Sequence, residues 1–254
     1  DHSGKIEMSP TTLLLPDLVE VRTASLNLWK GRGQLVSWSP GQFRQQVSSW
    51  ATALRFHGIG PGSTVALAAP TSLELVAAVV GAWRCGAAVT VLPQPDAFGT
   101  AGALRLAEGI QTVRPTVLLI GEHVPGELPA MCRSLPLSIA SAFVSAPSAS
   151  STLSPDALDP DAVALLQLTS GSTGRSKVVP ITHAMLMENC RASCQRAEVG
   201  SQDHMVSWLP LTHDMGFSGA LVHGLAADVE LTLIPTEVFA RSPLCLLEAI
   251  AGLR

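Results

Sequence analysis

The sequence predicts an α/β fold of layered, mostly parallel sheets joined by crossover helices, and three observations predict it. Short apolar runs (64–69, 87–92, 116–120) alternate with segments of helical period, the pattern of a parallel sheet built from strand–helix–strand units. Hydrophobic residues make up 47% of the chain and the mean hydropathy is +0.33, enough to bury a sizeable core. A run of hydroxyls and glycines then follows another apolar, strand-like segment, Ala162 to Leu168, where ligand loops sit in such sheets. The 254 residues suffice for one large domain or two small ones.

Taken in order, Ser39-Pro40-Gly41 reads as a turn. Phe43, Val47, Trp50 and Leu54 then recur at helical spacing, which marks an amphipathic helix from Gln42 to Leu54. The Gly58-to-Gly62 stretch stops it. Thr64 to Ala69 is a buried strand, Ser72 to Cys85 an apolar helix, and Ala87 to Leu92 the next strand, ended by Pro93. Ala97 to Val113 suggests another helix and Thr116 to Ile120 another strand. Ser138 to Val144 has strand character, and Ser145 to Asp161, rich in Ser, Ala and Pro, reads as a surface connection. Downstream, His183 to Arg196 is a helix with Thr182 as its expected N-cap. A buried strand runs from Met205 into Pro210. Gly219–Leu225, Val229–Ile234 and Pro243–Leu253 read as helix, strand and helix.

Composition excludes several classes. Charged residues are only 14% and the net charge is −4, which argues against a nucleic-acid surface. Leu75 to Trp83 is flanked by Glu74 and Arg84 and reads as a buried helix, so no membrane span is expected. Asp1 to Lys5 lacks a signal-peptide pattern, and the cytoplasm is the expected compartment. The cysteines at 85, 132, 190, 194 and 245 form no C-x-x-C pair. Cys190 and Cys194 share a helical face with His183 nearby, but free cysteine is commonly a core residue, and no metal site is expected.

The chemistry lies in Leu168-Thr169-Ser170-Gly171-Ser172-Thr173-Gly174-Arg175-Ser176-Lys177. Gly171 and Gly174 permit a tight turn and close approach of backbone to ligand. Successive backbone N–H groups in such a turn form an anion-binding concavity. Ser170, Ser172 and Thr173 add hydroxyl donors, and Lys177 a compact positive charge. Together they describe a phosphate cradle; the plainer alternative is a solvent-exposed Ser/Gly turn between two strands. It is not a Walker A loop, whose glycines are spaced differently and whose lysine precedes Ser or Thr.

A second polar group, Thr212-His213-Asp214, stands at the carboxyl end of the strand that runs into Pro210, the end where open α/β sheets bind ligands. The local alternative is a helix cap, with Asp214 bonding backbone N–H groups. Serine-hydrolase chemistry is disfavoured: Gly216-Phe217-Ser218-Gly219 is not G-x-S-x-G, and Gly174 occupies the position three before Lys177 where S-x-x-K needs serine.

The ten-residue loop resembles the phosphate-binding signature of the adenylate-forming superfamily, which includes acyl-CoA synthetases, nonribosomal-peptide adenylation domains, luciferase-like enzymes and fatty acyl-AMP ligases. The match runs from Thr169 to Gly174 and includes Lys177; Ser176 and Val178 replace the usual Pro and Gly. The string Trp208-Leu209-Pro210-Leu211-Thr212-His213-Asp214-Met215-Gly216 is similar to the fatty acyl-AMP ligase branch in particular, with Thr212 where that branch usually has Tyr.

The resemblance implies ATP-dependent activation of a carboxylic, preferentially fatty, acid to its acyl-adenylate, with ATP and Mg²⁺ as cofactors. Transfer to the phosphopantetheine thiol of an acyl carrier protein, or to CoA, would follow. It assigns Thr169, Ser170, Gly171, Ser172, Thr173, Gly174 and Lys177 to the phosphates, with Thr173 and Lys177 catalytic. His213, Asp214, Met215 and Gly216 are assigned to the acid substrate, and no residue to a metal. It further implies that residues 1–254 correspond to the amino-terminal part of an adenylation domain, without the small carboxyl-terminal lid. A truncated or degenerate, non-catalytic adenylation-like domain with a structural or nucleotide-binding role is the other reading, and an acyl-CoA ligase or amino-acid adenylation domain a further one.

Overall fold

The computed structural model describes residues 14–94, 100–121, 134–136, 159–169 and 177–252. In chain order its elements are α1 (Leu15–Val21), β1 (Leu26–Trp29), β2 (Leu35–Trp38), α2 (Pro40–Phe56), β3 (Thr64–Ala68), α3 (Leu73–Arg84), β4 (Ala88–Val91), α4 (Thr100–Val113), β5 (Val117–Ile120) and β6 (Ser134–Pro136). There follow β7 (Val163–Thr169), β8 (Lys177–Thr182), α5 (His183–Ala197), β9 (His204–Ser207), α6 (Asp214–Gly216), a π-helical segment (Phe217–Val222), α7 (His223–Ala226), β10 (Glu230–Leu233), α8 (Thr236–Arg241) and α9 (Cys245–Gly252). The chain divides into two compact units, one of residues 1–44, 71–73 and 184–254, the other of residues 45–70 and 74–183.

The second unit is built on a six-stranded sheet in the order β6-β5-β3-β4-β7-β8. Every neighbouring pair is parallel except β7–β8. Strand β4 is buried along its whole length and β3 along all but its first residue, which accounts for their mainly apolar sequences, with Thr90 the one polar residue buried among them. The chain goes from β3 through α3 to β4 on one side, then through α4 to β5 on the other. Ala66, Ala68, Leu92, Leu106, Ile110 and Leu118 form one buried cluster, which joins the sheet to α4. Helix α3 approaches α2 closely: a Cβ at Gly81 would lie 2.6 Å from Trp50 Cβ and 3.2 Å from the Val47 carbonyl. Trp83 anchors α3 to β7 by donating from Nε1 to the Ala164 carbonyl at 2.8 Å.

The first unit carries a four-stranded sheet, β2-β1-β10-β9. Strands β1, β10 and β9 are parallel, and β2 returns antiparallel on β1. The β1–β2 turn places Gly31, Arg32 and Gly33 all at positive φ, tolerable because two of the three are glycine. At the carboxyl ends of the parallel strands, Trp29, Ile234, Cys245 and Ala249 form a buried cluster against which Trp208 and Phe239 pack.

Several sequence expectations are corrected. Ser39-Pro40-Gly41 is the start of α2, not a separate turn: Gln42 N–H donates to Ser39 Oγ at 3.3 Å, and Ser39 N–H to Gln42 Oε1 at 2.9 Å. That is a capping box with proline in the first helical turn. Val178 to Ile181 belongs to a full strand paired antiparallel, so the sheet is mixed at that edge. Helix α1, strands β1, β2 and β6, and helix α8 were not expected from sequence; each spans seven residues or fewer, too few to display a period. The expected strand Ser138–Val144 and most of the Ser145–Asp161 connection lie outside the described residues. No helix among the described residues is long and apolar enough to cross a membrane.

Candidate active site

The phosphate-loop candidate is the connection of the β7–β8 hairpin, in the second unit. The ladder runs from Val163 opposite Thr182, through Leu166 opposite Pro180, to Thr169 opposite Lys177. Directly opposed residues of an antiparallel pair present their side chains on the same face, so the hydroxyl of Thr169 and the ammonium of Lys177 leave the last rung together. Thr169 Oγ1 lies 3.5 Å from the Lys177 carbonyl. Both residues are exposed, and among the described residues Lys177 forms no salt bridge. An uncommitted cation beside a hydroxyl, at the mouth of a Ser/Gly/Thr connection, suits an anionic ligand. Ser170, Gly171, Ser172, Thr173 and Gly174 lie outside the described residues.

The second candidate, in the first unit, follows β9. Ser207 Oγ accepts from Leu209 N–H at 3.2 Å, and Thr236 Oγ1 donates to the Trp208 carbonyl at 3.2 Å. Trp208 stacks on Phe239 with ring centroids 3.9 Å apart and planes 9° from parallel. From this braced strand end the chain turns at Pro210, whose carbonyl accepts from His213 N–H at 3.1 Å. His213 is the N-cap of α6, with an extended backbone (φ −103°, ψ 143°). Its Nδ1 lies 2.6 Å from Asp214 Oδ1, and Asp214 Oδ1 accepts from Met215 N–H at 2.7 Å. The two side chains are 63% and 67% exposed, so the pair faces solvent while the helix behind it is buried.

Gly216 serves a different purpose from its neighbours. A Cβ there would sit 2.1 Å from the Pro210 carbonyl oxygen and 3.0 Å from that of Leu209. The absence of a side chain lets the helix begin directly over the strand's exit turn. The local-cap reading of His213 and Asp214 is thus what the backbone geometry displays, and it engages the ring through Nδ1, leaving the Nε2 edge without a partner among the described residues.

Two features here had no recognisable sequence signal. One is the π-helical run Phe217–Val222, in which the His223 N–H reaches back to the Ser218 carbonyl; such wide turns are frequent at functional sites. The other is His223 itself, buried with Nε2 lacking a hydrogen-bond partner. Cys190 and Cys194 are buried core residues, as the sequence suggested. Burial pushes the Cys190 thiol up to about 12 and Cys85 up to about 11, so neither supplies a thiolate nucleophile at neutral pH. Among the described residues no group of three His, Cys, Asp or Glu side chains is placed to hold a metal ion.

A family model for AMP-binding enzymes matches residues 21–254. The chain belongs to the AMP-binding enzyme family. Among relatives, it is 28% identical over 254 residues to a Caulobacter vibrioides protein described as an acyl-CoA synthetase, covering 98% of this chain and 44% of that one. It is 31% identical over 188 residues to a long-chain-fatty-acid–AMP ligase of Mycolicibacterium smegmatis, covering 72% and 29%. With a medium-chain-fatty-acid–[acyl-carrier-protein] ligase of Teredinibacter turnerae it shares 34% identity over 152 residues, covering 59% and 22%.

Among solved structures, the Legionella pneumophila fatty acyl-adenylate ligase, in complex with acyl adenylate and pyrophosphate, superposes with a TM-score of 0.78 at 22% identity, over 93% of this chain and 42% of that one. An adenylation–carrier didomain bound to phenylalanyl-adenylate gives 0.83 at 20%, over 97% and 46%. The chain therefore spans less than half the length of these proteins.

Proposed function

We propose that this chain is the amino-terminal part of an adenylation domain that activates a fatty acid as its acyl-adenylate. The observation that carries the reading is the terminal rung pairing Thr169 with Lys177 at the open end of a hairpin connected by Ser-Gly-Ser-Thr-Gly-Arg-Ser. In the reaction a carboxylate oxygen attacks the α-phosphorus of ATP. A carboxylate–phosphorus bond forms, the bond to the bridging oxygen breaks, and pyrophosphate leaves. Negative charge gathers on that leaving group, and preorganised donors aimed at developing charge are usually the largest catalytic contribution.

Thr169, Ser170, Gly171, Ser172, Thr173, Gly174 and Lys177 would grip the β- and γ-phosphates, with Thr173 and Lys177 closest to the chemistry. Mg²⁺, when bound with ATP, shares the phosphate charge; no side chain of this chain is assigned to it. His213, Asp214, Met215 and Gly216 would form the acid-binding segment. His213 is not assigned as a general base, because the acid is already ionised at neutral pH. The acyl group would then pass to the phosphopantetheine thiol of an acyl carrier protein, a reading supported by the Teredinibacter relative's name; CoA is the competing acceptor, supported by the Caulobacter relative. The work is assigned to the cytoplasm.

The test is acid-dependent exchange of labelled pyrophosphate into ATP by the full-length protein. Lys177→Ala is expected to lower that exchange by roughly 10²–10³-fold, the cost of one preorganised charge-stabilising donor. Exchange unchanged in the variant removes Lys177 from the site. No exchange by the wild type with any fatty, hydroxy or aryl acid favours the degenerate, non-catalytic reading.

A further inference from the structure

The spacing of His213 and Asp214 says where the imidazole carries its proton. His213 Nδ1 stands 2.6 Å from Asp214 Oδ1 and 3.2 Å from Met215 N. Met215 N–H has a better acceptor in Asp214 Oδ1, at 2.7 Å. A bare Nδ1 at 2.6 Å from a carboxylate oxygen would set two lone pairs against each other, whereas an Nδ1–H there makes a charge-assisted hydrogen bond of ordinary length. The carboxylate cannot easily turn aside, because the helix N-terminus holds the same oxygen. Among the described residues Asp214 is the one charged group paired with His213. The ring's other edge, Nε2, consequently carries a lone pair when the imidazole is neutral and an N–H only when it is doubly protonated.

We propose that Asp214 is a positioning residue that locks His213 in the Nδ1–H form, so that a carboxylate substrate is bound through Nε2 only as the ring takes up one proton from solvent. The proposal rests on the acid-binding role assigned above and adds its proton linkage. A neutral ring locked in this way turns a lone pair toward an anion and repels it. The imidazolium, with Asp214 compensating its charge on the far side, donates Nε2–H to the substrate oxygen. No covalent bond changes: substrate carboxylate, neutral His213 and one proton give a carboxylate–imidazolium pair. Because one proton is taken up with the substrate, acid binding would weaken with rising pH.

The experiment uses the full-length protein and two readouts. Nitrogen-15 NMR of the histidine rings, with His213→Gln to assign the signal, is expected to show the Nδ1–H tautomer for neutral His213 in the wild type. In Asp214→Asn it should become mixed or reversed, because an asparagine amide N–H invites the other tautomer. In the pyrophosphate-exchange assay, the KM for the acid should rise with pH, approaching about tenfold per unit for one proton taken up, with kcat nearly flat. In Asp214→Asn that slope should be lost, while Asp214→Glu restores part of it. An Nε2–H tautomer in the wild type, or an acid KM that ignores pH while exchange proceeds, overturns the linkage and leaves the ligase reading standing. A wild type that exchanges pyrophosphate with no acid at any pH overturns both.

Discussion

Arg22 donates from Nη1 to the Gly224 carbonyl at 3.1 Å, across 202 residues of sequence. Its Nη2 reaches the Ser25 and Val229 carbonyls at 3.1 and 2.9 Å, and Asp228 lies 3.6 Å from Nη1. The guanidinium thus caps the end of α7, where unpaired helical carbonyls gather, and ties it to the entry of β1. Burial lowers its pKa to about 10, with Asp228 and Glu230 acting in the opposite sense, and it stays charged at neutral pH. Arg22→Leu leaves three carbonyls without this donor and Asp228 without its cation, although its carboxylate still accepts from Thr23 and Ala24. A loss of about 3–5 kcal/mol is expected, the usual cost of breaking a buried charge network. Urea unfolding measures it, and a loss below about 1 kcal/mol would show the carbonyls finding water instead.

Gly81 sets how closely α3 lies against α2. Gly81→Ala puts a methyl 2.6 Å from Trp50 Cβ, and the obstacle includes backbone atoms that cannot rotate away. Overpacking of this kind costs about 1–3 kcal/mol. A thermal melt reads it, and the double variant Gly81→Ala/Trp50→Leu should recover little, because the Val47 carbonyl and Ala51 amide remain in contact range.

Gly216→Ala is expected to act on ligand binding as well as on stability. The added carbon would overlap the Pro210 carbonyl oxygen, so the first turn of α6 must shift and carry His213 and Asp214 with it. The signature is a lower melting temperature together with loss of the His213 Nδ1–H NMR signal. A variant that keeps both would mean that the turn relaxes without moving the helix.

His204 bridges β9 and β10, with Nε2 at 2.8 Å from Thr232 Oγ1 and Nδ1 at 3.2 Å from Glu230 Oε2. Desolvation lowers its pKa, more than Glu230 raises it. The unfolded chain therefore takes up a proton at higher pH than the folded one. The resulting stability is full above the unfolded value of about 6.5 and is lost as pH falls through that value toward the folded one. His204→Gln should flatten the acid-side slope of melting temperature between pH 7 and 5; an unchanged slope assigns it to other groups.

Thiol accessibility gives a further check. Cys85, Cys190, Cys194 and Cys245 are buried, with the thiols of Cys85 and Cys190 raised most. Alkylation at pH 8 followed by peptide mapping should label these four sites slowly in the native chain and fully in urea. Rapid native labelling of Cys190 would contradict its placement in the core.

Much of the fold was legible in the chain because its signals are local. Val65 to Ala68 are apolar without interruption, and Ala88 to Val91 apart from the buried Thr90, because both faces of their sheet are covered. The spacing of Phe43, Val47, Trp50 and Leu54 is the buried face of α2. The expectation of an anion cradle is equally local, since it rests on glycine, hydroxyl and lysine within ten consecutive residues. The shorter elements escaped notice for the converse reason. Strand β2 is exposed along most of its four residues and exists because β1 supplies its hydrogen bonds.

By itself, then, the sequence determined the α/β class, the principal helices and strands, and the glycines, hydroxyls, lysine and histidine on which the proposed function rests. Tertiary structure alone decided that β4 and β5 flank β3, and that β8 runs antiparallel and so sets Lys177 against Thr169. It alone decided that Gly216 is needed for clearance under Pro210. Local periodicity reports which face of an element is apolar. Strand order and close backbone approach depend on distances between atoms that only the completed fold brings together.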